Sequence, residues 1–407
     1  MTAARPLDPV RERILLLTLA GIQFAHILDF MIMMPLGPIL MGELGIDTRQ
    51  FGLLVSSYTF SAAASGVLAA TFVDRFERKR LLLSMFALFG VATLACGLAP
   101  GYWTLLLARC TAGAFGGVLN AMVQTMVGDL IPFERRGRAS GIIMSAFSLS
   151  TVAGVPLSLF LANHYGWRFP FLFIAAMTVV LLLPGIRMLP TLRGHLEAAI
   201  IGEAERAHPL AAMASVLRDA NSLRALAFIA LLMLSNFMVI PYITLYSVNN
   251  VEIRVEDLYL LYLAGGAANF FTSRRIGQLT DRHGKVRVYR IVGFLALAPL
   301  LIQTHLPPVP LWLMVCVSTL FFIVVPGRMV PAMAIVTSAA PPRLRGTFLS
   351  IVGATQQFSV GVASYVGGLI IYQDAGGRIM RYDIVGYLAV AVALLAIALA
   401  GRIRVQS

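Results

Sequence analysis

Long apolar runs separated by short polar breaks pattern the chain from end to end. Twelve such runs have approximate cores at 14–38, 51–73, 81–99, 103–129, 140–162, 169–189, 224–247, 257–274, 288–304, 309–337, 347–372 and 384–401. A helix needs about 20 apolar residues to cross the hydrocarbon core of a bilayer, and the runs are of that order. A membrane barrel would show alternating segments of about ten residues instead. The pattern predicts an all-α membrane protein of twelve transmembrane helices in two pseudo-symmetric six-helix bundles. The one long polar stretch, Pro190 to Arg224, divides the runs six and six. The expected organisation is an N-terminal bundle over 1–189, a cytoplasmic linker over 190–223 and a C-terminal bundle over 224–407. In the later part of that linker, Leu210, Met213, Val216 and Leu217 have the apolar spacing of a helix lying on the membrane surface; a solvated spacer fits them equally.

The halves repeat one another. Gly277-Gln278-Leu279-Thr280-Asp281-Arg282-His283-Gly284-Lys285 lies in a basic break between two apolar runs, and residues 70–78 carry a degraded copy that keeps Asp74-Arg75 and the following base, Arg78. Phe30-Met31 ahead of Pro35 recurs as Phe237-Met238 ahead of Pro241, and Pro132, Arg136 and Gly137 recur as Pro341, Arg345 and Gly346. Landmarks kept in one order point to duplication rather than to chance loop composition. Internal repeats of this kind mark secondary transporters that rock one half against the other.

Composition agrees. With 58% hydrophobic residues, 13% charged residues and a mean hydropathy of +0.83, the chain is far more apolar than a soluble domain of its length needs to be. Its net charge of +13 raises the question of nucleic acid. The distribution answers it: the basic residues gather at the N-terminus, in the even-numbered loops (Arg75 to Arg80, Arg135 to Arg138, Arg274 to Arg290, Arg343, Arg345), in the linker and at the C-terminus, while bases in the opposite loops are mostly offset by acids. That asymmetry places both termini in the cytoplasm by the positive-inside rule. The N-terminus is polar and the first run is long enough to span and remain, so no cleavable signal peptide is expected. Cys96, Cys110 and Cys316 fall inside runs without metal or redox spacing and read as packing residues.

These features resemble the major facilitator superfamily over the whole chain. The duplicated Asp-Arg loop, Arg109 with Gly113 in the fourth run, and Gly154-Val155-Pro156 in the fifth carry the resemblance. Leu28-Asp29-Phe30 and the stretch from Gly154 to Gly166-Trp167-Arg168 are similar to the branch of bacterial twelve-helix proton antiporters that export drugs and sugars, the arabinose-efflux type. Ala70 and Glu77 stand where the family usually has Gly in the first loop copy, and Ser158 departs from the fifth-span motif. The resemblance implies a monomer in the bacterial inner membrane that exchanges a small-molecule substrate for protons by alternating access, with no cofactor and no nucleic-acid partner. Proton-coupled uptake of a nutrient, and a non-transporting membrane receptor, remain the alternatives. No H-E-x-x-H, Walker loop or nucleotide-binding domain is present, so an enzyme or an ATP-driven pump is not expected.

An Asp at a helix end followed at once by Arg can accept hydrogen bonds from a neighbouring helix N-terminus while holding the guanidinium. By resemblance Asp74 and Asp281, with Arg75, Arg78, Gly277, Arg282, Gly284 and Lys285, latch the halves in the outward-open state. Asp74 then faces span eleven near Gly346, and Asp281 faces span five near Gly137. Gly154 and Pro156 should bend span five, since they remove a side chain and a backbone donor; by resemblance they also seal the contact between halves.

Charges inside the runs are the sharpest functional signal, because each costs about 2.5–3.5 kcal/mol near the bilayer centre even on the lenient insertion scale. Asp29, Arg109 and Arg328 lie well inside spans one, four and ten, which line the central cavity in the family fold together with span seven. Asp29 and Arg109 lie at similar depths on neighbouring spans and are expected to pair, as the proton-coupling site with His26 or as a static structural pair. The candidate cavity residues are Gln23, Asn120, Gln124, Asn236, Tyr242, Tyr246, Asn269, Arg328, Gln356 and Gln357. Arg328, between Pro326 and Pro331, is expected either to face the cavity and bind an anionic or carbonyl-bearing group or to hold the C-terminal half together.

Overall fold

Lipid offers no partner to a backbone N–H or C=O, so each crossing segment must satisfy its own, and the apolar runs accordingly fold as helices. The computed structural model describes residues 9–131, 135–190, 209–340 and 344–404. The first six spans are Pro9–Ile32 continued by Gly37–Leu44, Thr48–Phe72, Arg78–Gly97, Tyr102–Leu130, Arg136–Leu149 continued by Val155–Tyr165, and Arg168–Met188. Spans seven to twelve are Ala220–Phe237 continued by Ile243–Asn249, Leu258–His283, Lys285–His305, Leu311–Val324 continued by Met329–Ala339, Arg345–Ile370, and Tyr382–Ala400. Among the described residues ten spans are long and apolar enough to cross a membrane by themselves. Spans eight and eleven, 26 residues each, are more polar and complete the predicted twelve within the same bundle.

Four spans are interrupted where the sequence carries proline. Span one stops at Ile32 ahead of Pro35, and span seven stops at Phe237 ahead of Pro241, so the repeated Phe-Met-Pro landmark marks one equivalent break in each half. The breaks meet: Thr244 Oγ1 donates to the Met34 carbonyl at 3.0 Å, adding a partner from the other half to an acceptor that also takes the Gly37 N–H. Span ten is interrupted over residues 325–328, at Pro326. In span five the bend takes the form of a π turn over Ser150–Gly154, one residue before the helix resumes through Pro156. Proline lacks the N–H and crowds the carbonyl four residues back, and the wider turn relieves both.

The connection between the halves is partly described. Pro209–Arg218 is a helix that packs on spans seven and eleven and buries Val216 beneath it. Residues 191–208 lie outside the described part. Span seven begins at Ala220, four residues before the apolar core, because Asp219 accepts a hydrogen bond from the Ser222 N–H at 2.7 Å and caps the helix.

The two ends of the bundle differ. At the end holding Pro9, Met188 and Arg404, Arg135 pairs with Glu12 at 2.7 Å and Asn221 holds the Arg404 carbonyl, both links within one half. At the far end the halves are joined. Thr48 Oγ1 donates to the Ile371 carbonyl at 2.6 Å, Asn163 reaches the Val255 carbonyl at 3.4 Å, and Gly266 of span eight lies against the π turn at Thr151 and Val152.

Candidate functional site: two buried arginines

Span two approaches span four closely because Gly113 and Gly117 carry no side chains. A Cβ at Gly113 would overlap the Tyr58 carbonyl, and one at Gly117 the Ala62 carbonyl. This small-residue seam sets the Tyr58 ring over Arg109, with the guanidinium carbon 4.5 Å from the ring centroid. Arg109 Nη1 then meets Asp29 Oδ2 at 2.7 Å and the Asp29 carbonyl at 3.2 Å, and neither side chain is exposed. The expected pair is formed. Its hydrogen bonding is incomplete: among the described residues Asp29 Oδ1, Arg109 Nε and Nη2 and the Tyr58 hydroxyl have no partner. Gln23 and His26 precede Asp29 at helical spacing. Gln23 Nε2 donates to Asn120 Oδ1 at 3.0 Å, while His26 is buried with both ring nitrogens unpartnered. Gly154 touches the same segment, since a Cβ there would lie 2.6 Å from Leu28 Cδ1. The fifth-span motif therefore packs against span one at the residue before Asp29.

The other half holds a second arginine in related surroundings. Arg328 ends the turn at 325–328 and is fully buried. Its Nη2 donates to Ser235 Oγ at 2.9 Å and to Asn236 Oδ1, and Ser235 Oγ donates onward to the Ala389 carbonyl of span twelve. In this conformation Arg328 does not face an open cavity; it ties spans seven, ten and twelve together, the second of the two expected roles. Asn236 accordingly serves as an acceptor for Arg328 rather than as part of an open wall.

The arrangement belongs to a known family. A family model described as Major Facilitator Superfamily matches residues 19–364. The chain belongs to that superfamily. Facilitator relatives include the MFS-type transporter YtbD of Bacillus subtilis, 24% identical over 385 residues covering 93% of each chain. The vacuolar membrane amino acid uptake transporter fnx2 of Schizosaccharomyces pombe is 33% identical over 123 residues, 30% of this chain and 21% of that one. Two facilitator structures share the fold. A bacterial homologue of the human lysosomal transporter Spinster, inward-facing and occupied, superposes with a TM-score of 0.74 at 15% identity over 98% of both chains. A D-xylose-proton symporter superposes with a TM-score of 0.71 at 16% identity over 96% of this chain and 97% of its own. The protein is thus a multi-pass membrane transporter of a family that carries small molecules.

Several cavity candidates of this facilitator lie elsewhere. Tyr242 is fully buried in the far-end seam: its hydroxyl donates to the Ser364 carbonyl at 2.5 Å, and its ring and hydroxyl fill the space that Gly52, Gly367 and Gly368 leave. Tyr246 donates to the Leu306 carbonyl at 3.1 Å in the same region. Asn269 is buried and accepts from Ser273 on its own helix. Gln356 Nε2 contacts Met333 Sδ, Gln357 is half-buried and Gln124 is exposed. Tyr58, Ser235 and the seam glycines were not among the sequence candidates; the Gly367-Gly368 pair and the Gly113, Gly117 spacing were the signals for them.

Of the latch residues, Asp281 is exposed and makes no ion pair among the described residues, and a Cβ at Gly346 or Gly353 meets nothing within 4 Å. The side chains of Asp74 and Gly137 lie outside the described part. Arg75 and Arg282 are exposed, Arg78 is buried, Gly277 is half-buried with Val330 of span ten nearest, and Lys285 contacts Ser338. Gly284 has φ +89°, which demands glycine, whereas Glu77 at the equivalent place has φ −63° and pairs with Arg80 at 3.3 Å. The first copy turns without a left-handed residue, and so tolerates Glu.

Proposed function

We propose that this facilitator exports small amphipathic compounds or sugars across the bacterial inner membrane in exchange for protons, its termini cytoplasmic and its six-helix halves joined through residues 190–223. The Asp29–Arg109 pair carries this reading. A carboxylate held by one oxygen, with its second oxygen and two guanidinium nitrogens unpartnered, has a free position for a proton. Charge pairing with Arg109 favours the ionised form and burial favours the neutral one, so a change in packing or hydration around span one tips the balance. Asp29 is the coupling carboxylate, Arg109 its counter-charge, and His26 the group that hands protons along span one. Gly154 and Pro156 keep span five against Leu28, so a shift of the π turn is felt beside Asp29. The Asp74 and Asp281 loops latch the opposite, outward-open state, which agrees with an exposed Asp281 where the far end is closed.

Proteoliposomes with an imposed pH gradient, screened against cationic dyes, neutral drugs and sugars, identify the substrate. With it in hand, Asp29→Asn is expected to abolish substrate-driven proton movement while substrate binding stays measurable and loses its pH dependence. Full proton-coupled transport by that variant removes Asp29 from the coupling role.

A further inference from the structure

The sequence places Asp29-Phe30-Met31 and Asn236-Phe237-Met238 at the same position, ahead of equivalent helix breaks. Each of these residues receives an arginine from the corresponding partner span: Asp29 from Arg109 on span four, Asn236 from Arg328 on span ten. Equivalent positions of spans one and seven thus each hold an arginine from the partner span, with a carboxylate in the first half and an amide in the second, although the two arginines come from different places along spans four and ten.

That change leaves a charge unanswered. A guanidinium stays charged, and burying a charge without a compensating partner is strongly unfavourable. Arg109 is compensated by Asp29. Arg328 is equally buried, yet among the described residues no carboxylate pairs with it, and its Nε and Nη1 have no partner at all. Two unpartnered nitrogens and a full positive charge thus occur together where the other half supplies an anionic oxygen.

We propose that the Arg328 site takes one monovalent anion, either chloride or the carboxylate of an organic compound, seated against Nε and Nη1 in the part that Asp29 plays for Arg109. The guanidinium lies beside two interruptions, the turn at 325–328 and the break after Phe237, and these are where the surrounding helices part to admit it. The site stands apart from proton coupling, since its arginine does not touch Asp29.

The test uses the full chain in detergent micelles, with thermal unfolding followed against added chloride, benzoate and, as a neutral isostere, benzamide, all over sodium sulfate at fixed ionic strength. A saturable rise in melting temperature is expected with chloride or benzoate and not with benzamide. Response to chloride assigns the site to an inorganic ion; response to benzoate alone assigns it to an organic carboxylate. Asn236→Asp supplies the carboxylate internally, so its melting temperature without anion rises and its apparent affinity for added anion falls at least tenfold. Arg328→Gln loses the response as well. If that variant does not fold, Asn236→Asp, which keeps the arginine, carries the test. Asp29→Asn keeps the anion response, which separates this site from the coupling carboxylate. No saturable shift in the wild type, an equal shift with benzamide, or an unchanged response in Asn236→Asp overturns the proposal.

Discussion

Arg109 and Arg328 are both fully buried and both held from the span that opens their half, but one meets a carboxylate and the other an amide and a hydroxyl. The first pair includes a carboxylate, the group to which we assign proton coupling; the second includes only neutral acceptors around a guanidinium that stays charged. Duplication therefore preserved the receiving position on spans one and seven, while the acceptor there diverged and the arginines reach it from different places along spans four and ten. The comparison is sharpest at the level of single atoms, where Asp29 Oδ2 and Asn236 Oδ1 occupy related places.

The largest effect expected from breaking the comparison is that of Arg109→Gln, which leaves Asp29 buried without its counter-charge. Loss of one member of a buried pair costs about 3–5 kcal/mol. Arg328→Gln strands only neutral acceptors, at about 1–3 kcal/mol. Denaturant unfolding in micelles ranks them, and equal losses would erase the distinction drawn here. Asp29→Asn recreates in the first half the arrangement already present in the second. Because the amide still accepts from Arg109, a drop of about 1.5–3 kcal/mol is expected, the worth of a charged hydrogen bond, and a larger drop than that of Arg109→Gln would contradict the assignment.

Gly113→Ala probes the seam that sets Tyr58 over Arg109. Overpacking costs about 1–3 kcal/mol, and the added methyl should loosen the Asp29 pair without touching it, detectable as a shifted pH dependence of substrate binding alongside the lower melting point. The smallest effect lies in the second half, far from either arginine. Asp219→Ala removes the cap of span seven, worth about 1 kcal/mol. Hydrogen bonding from Ser222 holds the Asp219 carboxyl below its usual value. Its contribution is therefore present above the unfolded-state value and is lost as pH falls below about 4, and the variant should converge with the wild type in acid.

How much of this was legible in the sequence depends on what each feature needs. Spans need only length, so the twelve helices could be read directly, and two close prolines pointed to the break at Pro326; the paired interruptions after Phe30-Met31 and Phe237-Met238 were legible only as repeat landmarks. The Asp29–Arg109 pair needed depth along neighbouring helices, which counting residues supplies. Rotation about the helix axis was not legible. A soluble helix declares its buried face by amphipathicity, but a span apolar all round does not, and so Tyr242 was placed on the cavity wall when it fills the far-end seam. Arg328 was limited in the same way: its position was clear, its acceptors Ser235 and Asn236 were not. The π turn at Ser150–Gly154 was foreseen as a bend but not in kind, since proline and glycine permit several local solutions.

The far-end seam has a kinetic meaning. Gly52 and Gly368 present backbone to each other across the two halves, and Tyr242 fills the space that they and Gly367 leave. Surfaces that interlock through long side chains must have rotamers change before they part. A joint lined with glycine has few to change, so it can separate along its length in one movement. The Thr48 to Ile371 hydrogen bond and the Thr244 to Met34 hydrogen bond then fasten the halves locally. Each is a neutral bond worth about 0.5–1.5 kcal/mol net, small enough to break and re-form within every transport cycle, so the speed of opening is tuned by two hydroxyl groups rather than by the bulk of the interface.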